Sequence, residues 1–444
     1  MQKRKYYDVV IGSILFVLII IFIFLLQSCG DDTTGNDNIT APSNLAVVNN
    51  NPSNFEISWK DNSDDETGFS IERKKDAGSF TEIATVGADV TEYTDTIAEA
   101  GVYSFRVRAV KNGEYSDYSN TVSETIEAPN EHSSNITSDE TWAAGIHIVE
   151  GYVYVSNGAV LTIEAGAIIK FGTNAGLIIQ TNSGLIADGT TGTITFTGEA
   201  EQKGYWRFID FNDDATAVNC KLINCVIEYG GGYSGSSAEL IIGNDATVHN
   251  CTIRNSSSNG VSIEAGANPD FTGNTITLNN AGPIIAEFTN ASSIGTGNYT
   301  GNANDFIDLD NGTLKENKTF LKQDVPYRLN DYSYVDNATL TIQAGSRFLM
   351  NSEAGMYIGT NGGLMAEGTE NDSITFTGYA EQKGYWRFIQ LQEDAIPANC
   401  HLDYCIIEYG GGYSNSSASL IIRNDATVTN SNIRNSDSYS AVIS

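Results

Sequence analysis

Positive charge is scarce in this chain: 24 Lys and Arg stand against 55 Asp and Glu over 444 residues, a formal charge of −31 at pH 7. A surface that acidic repels phosphate backbones, which argues against nucleic acid as a partner. It suits cations and neutral glycans, and its plain consequence is solubility. Histidine is rarer still. His132, His147, His249 and His401 are scattered, and no cysteine pair has Cys-x2-Cys spacing, so zinc lacks a ligand set. A Gly-rich phosphate loop, a Gly-x-Ser-x-Gly elbow and a His-Glu-x-x-His helix are also missing, which leaves nucleotide and triad-hydrolase chemistry without support. Proline is down to 7 residues, and no stretch has the period of an amphipathic helix.

What is abundant is the vocabulary of strands and tight turns. Gly reaches 43, and Tyr, Thr, Ile, Val and Asn recur in short alternating runs cut by Gly, Asn and Asp, the pattern of an all-β chain. A chain of 444 residues is too long for one ordinary core, so several domains or a stacked array are expected.

The N-terminus has the layout of an export signal. Lys3, Arg4 and Lys5 precede an uncharged, mostly apolar run from Val9 to Leu26 that ends in Leu26-Gln27-Ser28-Cys29-Gly30. That string resembles the bacterial lipobox, in which the cysteine is acylated and becomes the mature N-terminus. The resemblance makes Cys29 the lipidation site and residues 1–28 the cleaved signal, with two or three acyl chains anchoring the protein. Asp31 and Asp32 behind it resemble the surface-export signals of Bacteroidota lipoproteins, which implies the cell outer membrane and its outer surface. Residues 29–41 lack apolar periodicity and read as a flexible tether. An uncleaved membrane helix is the alternative for residues 9–26.

Residues 42–128 carry strands at sandwich spacing: Phe55–Trp59, Gly68–Arg73, Phe80–Val86, Val102–Val110 and Ser119–Ile126. Phe55, Ile57 and Trp59 alternate with polar neighbours, as Tyr103, Phe105, Val107 and Ala109 do, so each set shares an inward face. The strings Ile57-Ser-Trp-Lys60, Gly68-Phe-Ser-Ile-Glu-Arg73 and Tyr103-Ser-Phe-Arg-Val-Arg-Ala109 resemble bacterial fibronectin type III modules. The resemblance makes Trp59 the core tryptophan, Tyr103 the corner tyrosine and the module a spacer. The acidic loop Asp61, Asp64, Asp65, Glu66 departs from the EF-hand pattern, because Glu66 stands where the turn glycine belongs. A solvated turn is expected there.

The rest of the chain is duplicated. Residues 194–258 match 374–438 at an offset of 180, identical at 46 of 65 positions. Within a copy, Asn224-Cys-Val-Ile227 recurs as Asn250-Cys-Thr-Ile253, and Gly273-Asn-Thr-Ile276 follows, at spacings of 26 and 23 residues. Short strands and Gly/Asn turns at such spacings fit coils of a right-handed parallel β-helix. Segments such as Val160-Leu-Thr-Ile-Glu-Ala-Gly166, with Trp142 or Phe320 ahead of them, resemble β-helix repeats of Bacteroidota surface proteins. The expectation is a first copy over 129–316 and a second, apparently incomplete, over 317–444, roughly a dozen coils in all. Ile227 should stack on Ile253 and Cys225 on Cys251, with Asn224 and Asn250 bonded along a turn. The stop at Ser444 would leave a sheet edge that a truncated frame or a covering partner could explain.

Three groups could carry chemistry. Cys220, Cys225, Cys251, Cys400 and Cys405 read as small buried thiols, since Ser431 replaces the partner that Cys405 would need. Asp210, Asp213 and Asp214 could hold Ca2+, the one cofactor that enters consideration, with Asp305, Asp308 and Asp310 as a second acidic cluster. Tyr205, Arg207, Glu228 and Tyr233, repeated as Tyr385, Arg387, Glu408 and Tyr413, could line two equivalent grooves in which aromatic faces stack on sugar rings. For Trp206 and Tyr229 a packing role is expected instead. These readings lead to an envelope-anchored surface lipoprotein binding polysaccharide, or another surface protein, through a β-helix. A polysaccharide lyase or glycoside hydrolase is the second reading and a purely structural rod the third, because fold alone licenses no activity.

Overall fold

The eight strands that open the described chain form a two-sheet sandwich: β1 (Ser43–Asn51), β2 (Asn54–Lys60), β3 (Gly68–Lys75), β4 (Thr81–Gly87), β5 (Glu92–Thr96), β6 (Gly101–Lys111), β7 (Glu114–Tyr115) and β8 (Val122–Ile126). The computed structural model describes residues 39–444 apart from 52–53, 98, 127, 233–237, 413–417 and 438. The expected signal, Cys29, most of the tether, Tyr233 and Tyr413 lie outside the described residues. Among those described, no helix is long and apolar enough to cross a membrane.

Antiparallel β1, β2 and β5 make one sheet; β4, β3, β6 and β7, with β8 also on β6, make the other. Alternation decides what fills the space between them. Phe55, Ile57 and Trp59 from β2 meet Phe69 and Ile71 from β3 and Tyr103, Phe105, Val107 and Ala109 from β6, all buried. The Tyr103 hydroxyl donates to the carbonyl of Glu99 at 2.9 Å, so the ring fills the core while its polar tip is satisfied. Strands β1 and β5 are additions to the sequence expectation. Both pair with β2, and each adds apolar side chains to the core: β1 buries Leu45 and packs Val47 against it, and β5 sets Tyr93 there.

Beyond residue 129 the chain winds as a parallel β-solenoid of about 12 turns. Each turn contributes one short strand to each of three faces. In the first copy, face one holds Gly145–Val149, Ala167–Phe171, Ile194–Gly198, Cys225–Glu228, Thr252–Arg254 and Thr275–Thr277. Face two holds Tyr152–Val155, Gly176–Ile179, Ile209–Phe211, Ala238–Ile242, Asn259–Ile263 and Ile284–Glu287. Face three starts with Glu140–Trp142 and Val160–Ile163.

Register builds the core. Ile169, Phe196, Ile227, Ile253 and Ile276 stand over one another on face one and are fully buried, each worth about 1.5 to 3 kcal/mol of transfer free energy. Cys225 and Cys251 continue such a ladder, and none of the five described cysteines forms a disulfide. In the second copy Cys405 accepts the exchange because the Ser431 hydroxyl receives its amide at 3.0 Å. Corners are made by asparagines in the left-handed region, Asn224 (φ 51°), Asn250 (φ 54°) and Asn255 (φ 62°) among them, a conformation Asn tolerates better than most. The expected bond between Asn224 and Asn250 is replaced: the Asn224 amide nitrogen reaches the Thr190 hydroxyl. The side-chain ladder of asparagines runs instead from Asn279 to Asn302 at 2.9 Å.

The two copies are joined out of phase. The sheet that runs unbroken through the whole solenoid passes from the last face-two strand, Ile284–Glu287, through Ile307–Asp310 to Tyr327–Leu329. Tyr327–Leu329 is the counterpart, 180 residues on, of residues 147–149 on face one. Between equivalent strands the chain makes seven turns and one further face, because Ile294 and Asn298 in the connector occupy two extra strand positions. The second copy is therefore rotated by one face about the solenoid axis relative to the first.

Candidate functional site

The strand Tyr152–Val155 alternates large residues outward with valines inward. Its outward row on face two continues as Tyr154, Ile178, Asp210, Ile241 and Ser262, set by ladder register. Tyr152 packs its ring 6.3 Å from that of Tyr154 and 6.0 Å from that of Phe208. Gly176 makes room for it, since a Cβ there would lie 3.2 Å from the Tyr152 ring.

The second copy enlarges this arrangement. Its equivalent row is Tyr334, Tyr357, Gln390, Ile421 and Val442. Tyr334 and Tyr357 stack with centroids 5.3 Å apart and planes 8° from parallel, while Phe388 meets Tyr357 edge-on at 5.1 Å. Tyr332 closes the group at 5.5 Å from Tyr357. Gly355 again frees the space, because a Cβ would come within 2.7 Å of the Tyr332 ring. Tyr152 and Tyr334 are 36% and 39% exposed, enough for their faces to meet a ligand. The platforms lie on different sheets, as the rotation of the copies requires.

The sequence-predicted site residues divide among these surfaces. Arg207 joins the first platform, with its guanidinium carbon 6.0 Å from the Tyr152 ring centroid. Arg387 borders the second and pairs with Glu353. Glu228 and Glu408 stand apart, on the sheet of Cys225–Glu228 and of Cys405–Glu408, where each is engaged by an arginine at 2.7 Å, Arg254 and Arg434. Their carboxylates also accept from Thr197 and Thr377. Tyr205 and Tyr385 are half-buried, each against a glycine, Gly198 and Gly378. Among the described residues, what the structure forms around Arg207 and Arg387 is an aromatic platform with an arginine at its edge. Trp206 and Trp386 are fully buried, and their indole nitrogens donate to the carbonyls of Glu228 and Glu408 at 2.8 Å. They plug the coil, as the packing role expected of Trp206 has it. Tyr229, half-buried against the core, sits at φ 68°, and Tyr409 at φ 66°.

Of the acidic clusters, Asp210 lies in the outward row between Ile178 and Ile241. Burial there, with Glu264 adding like charge, pushes its carboxyl up to about 6. Asp214 receives the Thr181 hydroxyl at 2.5 Å, and Asp213 is exposed on the turn. Asp308 is gripped by Arg328 at 2.9 Å and by the Asn330 amide at 2.7 Å, and Asp305 accepts the Asn302 amide. These carboxylates are spent on protein contacts or dispersed. Among the described residues, the group whose ligand atoms converge is Asp61, Glu66 and Asp89 in the sandwich. The sequence offered Asp61 and Glu66 but had no means of placing Asp89 beside them.

Comparison with known proteins bears on the sandwich. Residues 40–125 match the fibronectin type III domain family. No curated protein matches the chain. Similar solved structures include a myokine, 23% identical over 20% of this chain and 96% of that one with a TM-score of 0.18. An Fn3-like protein from Clostridium thermocellum is 26% identical over 19% of this chain and 90% of that one, at a TM-score of 0.17. A β-1,2-glucanase from Parabacteroides distasonis is 22% identical over 20% of this chain but only 13% of its own length, at a TM-score of 0.18. The protein is accordingly an all-β chain in which an N-terminal fibronectin type III domain is followed by a parallel β-solenoid of about 12 turns.

Proposed function

We propose that the protein is an exported, lipid-anchored surface protein whose solenoid binds polysaccharide, with the fibronectin type III domain as its spacer. The observation that carries the binding role is the Tyr332, Tyr334, Tyr357 and Phe388 platform. Its outer rings are open to solvent while its inner edge is packed, so a sugar ring can stack on Tyr334 without any rearrangement. Arg387 at the border supplies donors to hydroxyl or carboxylate groups. Support for the anchor is the Leu26-Gln-Ser-Cys29 string with its acidic follower. Placement at the cell outer membrane rests on that string alone.

A polysaccharide array is the direct test. The protein is expected to retain a subset of glycans, and the double variant Tyr334→Ala, Tyr357→Ala to lose about fivefold or more in affinity, since each stacked ring contributes about 0.5 to 1.5 kcal/mol. Unchanged retention by the double variant removes the platform from the function. Shortened or unsaturated chains appearing during incubation would bring in the lyase or hydrolase reading. Asp210, with its carboxyl near 6 on the same outward row as Tyr154, is the group that favours that second reading.

A further inference from the structure

We propose that the fibronectin type III domain carries a divalent-cation site, fitted to Ca2+, formed by Asp61, Glu66 and Asp89. Each contributes a carboxylate oxygen, and the three oxygens lie within 4.8 Å of one another. Oxygens bound to one Ca2+ at about 2.3 to 2.6 Å can be up to about 5 Å apart, so a single ion reaches all three.

Glu66 is what separates this group from an ordinary acidic loop. The residue is 7% exposed, its Oε1 accepts the Asp89 amide at 3.1 Å, and its Oε2 is buried with no hydrogen-bond partner. A buried carboxylate oxygen without a donor is costly, and a cation is what satisfies it. The neighbouring Asp65 is engaged by Lys111. Asp61 is fixed by the Ser63 amide at 2.9 Å on its Oδ1. Asp89 is exposed and sits at φ 59°, which leaves one side of the site open for the waters that complete a six- to eight-oxygen shell. Oxygen-only donors without His or Cys exclude a zinc preference.

The placement gives the ion a task. Asp61 and Glu66 lie on the connection from β2 to β3, and Asp89 on the turn from β4 to β5. Both connections cross from one sheet to the other at the same end of the sandwich. A cation held between them ties the two crossings together and cancels the repulsion of three carboxylates at close range.

The test uses the full-length protein, stripped with chelator and titrated with CaCl2 by calorimetry. Wild type is expected to bind one Ca2+ that Asp89→Asn weakens at least about tenfold and Glu66→Gln abolishes, with a dissociation constant on the order of 10−4 to 10−3 M, as in extracellular modules. Asp64→Asn, on the same loop but outside the group, is expected to bind as wild type does. Thermal unfolding of the sandwich should shift upward with Ca2+ in wild type and Asp64→Asn only. Asp89 is exposed, so its variant folds even if Glu66→Gln does not. No binding up to about 10 mM Ca2+, or stoichiometry and affinity unchanged in Asp89→Asn, overturns the site.

Discussion

Asp210 shows how one outward-facing side chain sets a pH response. Unfolded, its carboxyl ionises near the usual 3.8; folded, it holds its proton to about 6. Between those values the native state keeps a proton that the unfolded chain has released, so this group's contribution falls as pH rises from about 4 to about 6 and stays unfavourable above. Gln390 occupies the equivalent position without a charge. Asp210→Asn is expected to stabilise the protein at pH 7.5 by about 2 to 3 kcal/mol, with the gain gone below about pH 4. Urea denaturation at the two pH values measures it; an equal effect at both would contradict the assignment. Residues that act through alternation were legible in the sequence: Trp59, Tyr103 and Ile227 each belong to a period-two run whose inward face is fixed by its neighbours. Asp89 was not legible, since 23 residues and the whole β3–β4 hairpin separate it from Glu66. Nor was the Tyr334 and Tyr357 stack, because Ile178 replaces the second tyrosine in the other copy and a search for identity passes over it.

Strands and corners behave as the unit at the next scale. Coil lengths are unequal: residues in contact along the face-two row are separated by 24, 32, 31 and 21 positions. Ladder register therefore cannot be counted from the chain there, although the regular spacings of 26 and 23 around Ile253 gave it correctly on face one. The irregular lengths are absorbed at corners where backbone passes close to backbone. Around Trp206 the Gly232 amide bonds the Trp206 carbonyl at 2.9 Å, and a Cβ on Gly232 would stand 2.2 Å from the Gly204 carbonyl oxygen. Gly412 repeats this against Gly384 at 2.0 Å. Backbone cannot yield as a flexible side chain does, so Gly232→Ala is expected to cost about 2 kcal/mol or more. Hydrogen exchange should localise the loss to the coils around Trp206; protection unchanged there would mean the corner is looser than its contacts imply.

For the whole molecule, the phase step between copies governs how the two aromatic platforms could serve the binding role proposed above. Duplication without rotation would have placed both aromatic platforms on one side, where a flat or rigid ligand could engage both. Here they belong to different sheets of a three-faced solenoid, so one planar surface meets one platform at a time and no gain from linkage arises. Removing the first copy's platform through Tyr152→Ala, Tyr154→Ala is thus expected to leave retention on an insoluble flat polysaccharide within about twofold of wild type, measured by pull-down at several densities. A loss of about tenfold or more would require simultaneous engagement and contradict the geometry.

Because every rung of the solenoid is a parallel pair stacked along the axis, its hydrogen bonds point the way a pull on the two ends would act. Such bonds are met in series, a rung at a time, and not in a shared shear plane. Under tension the molecule should pay out length coil by coil at low, repeated force instead of giving way in a single rupture.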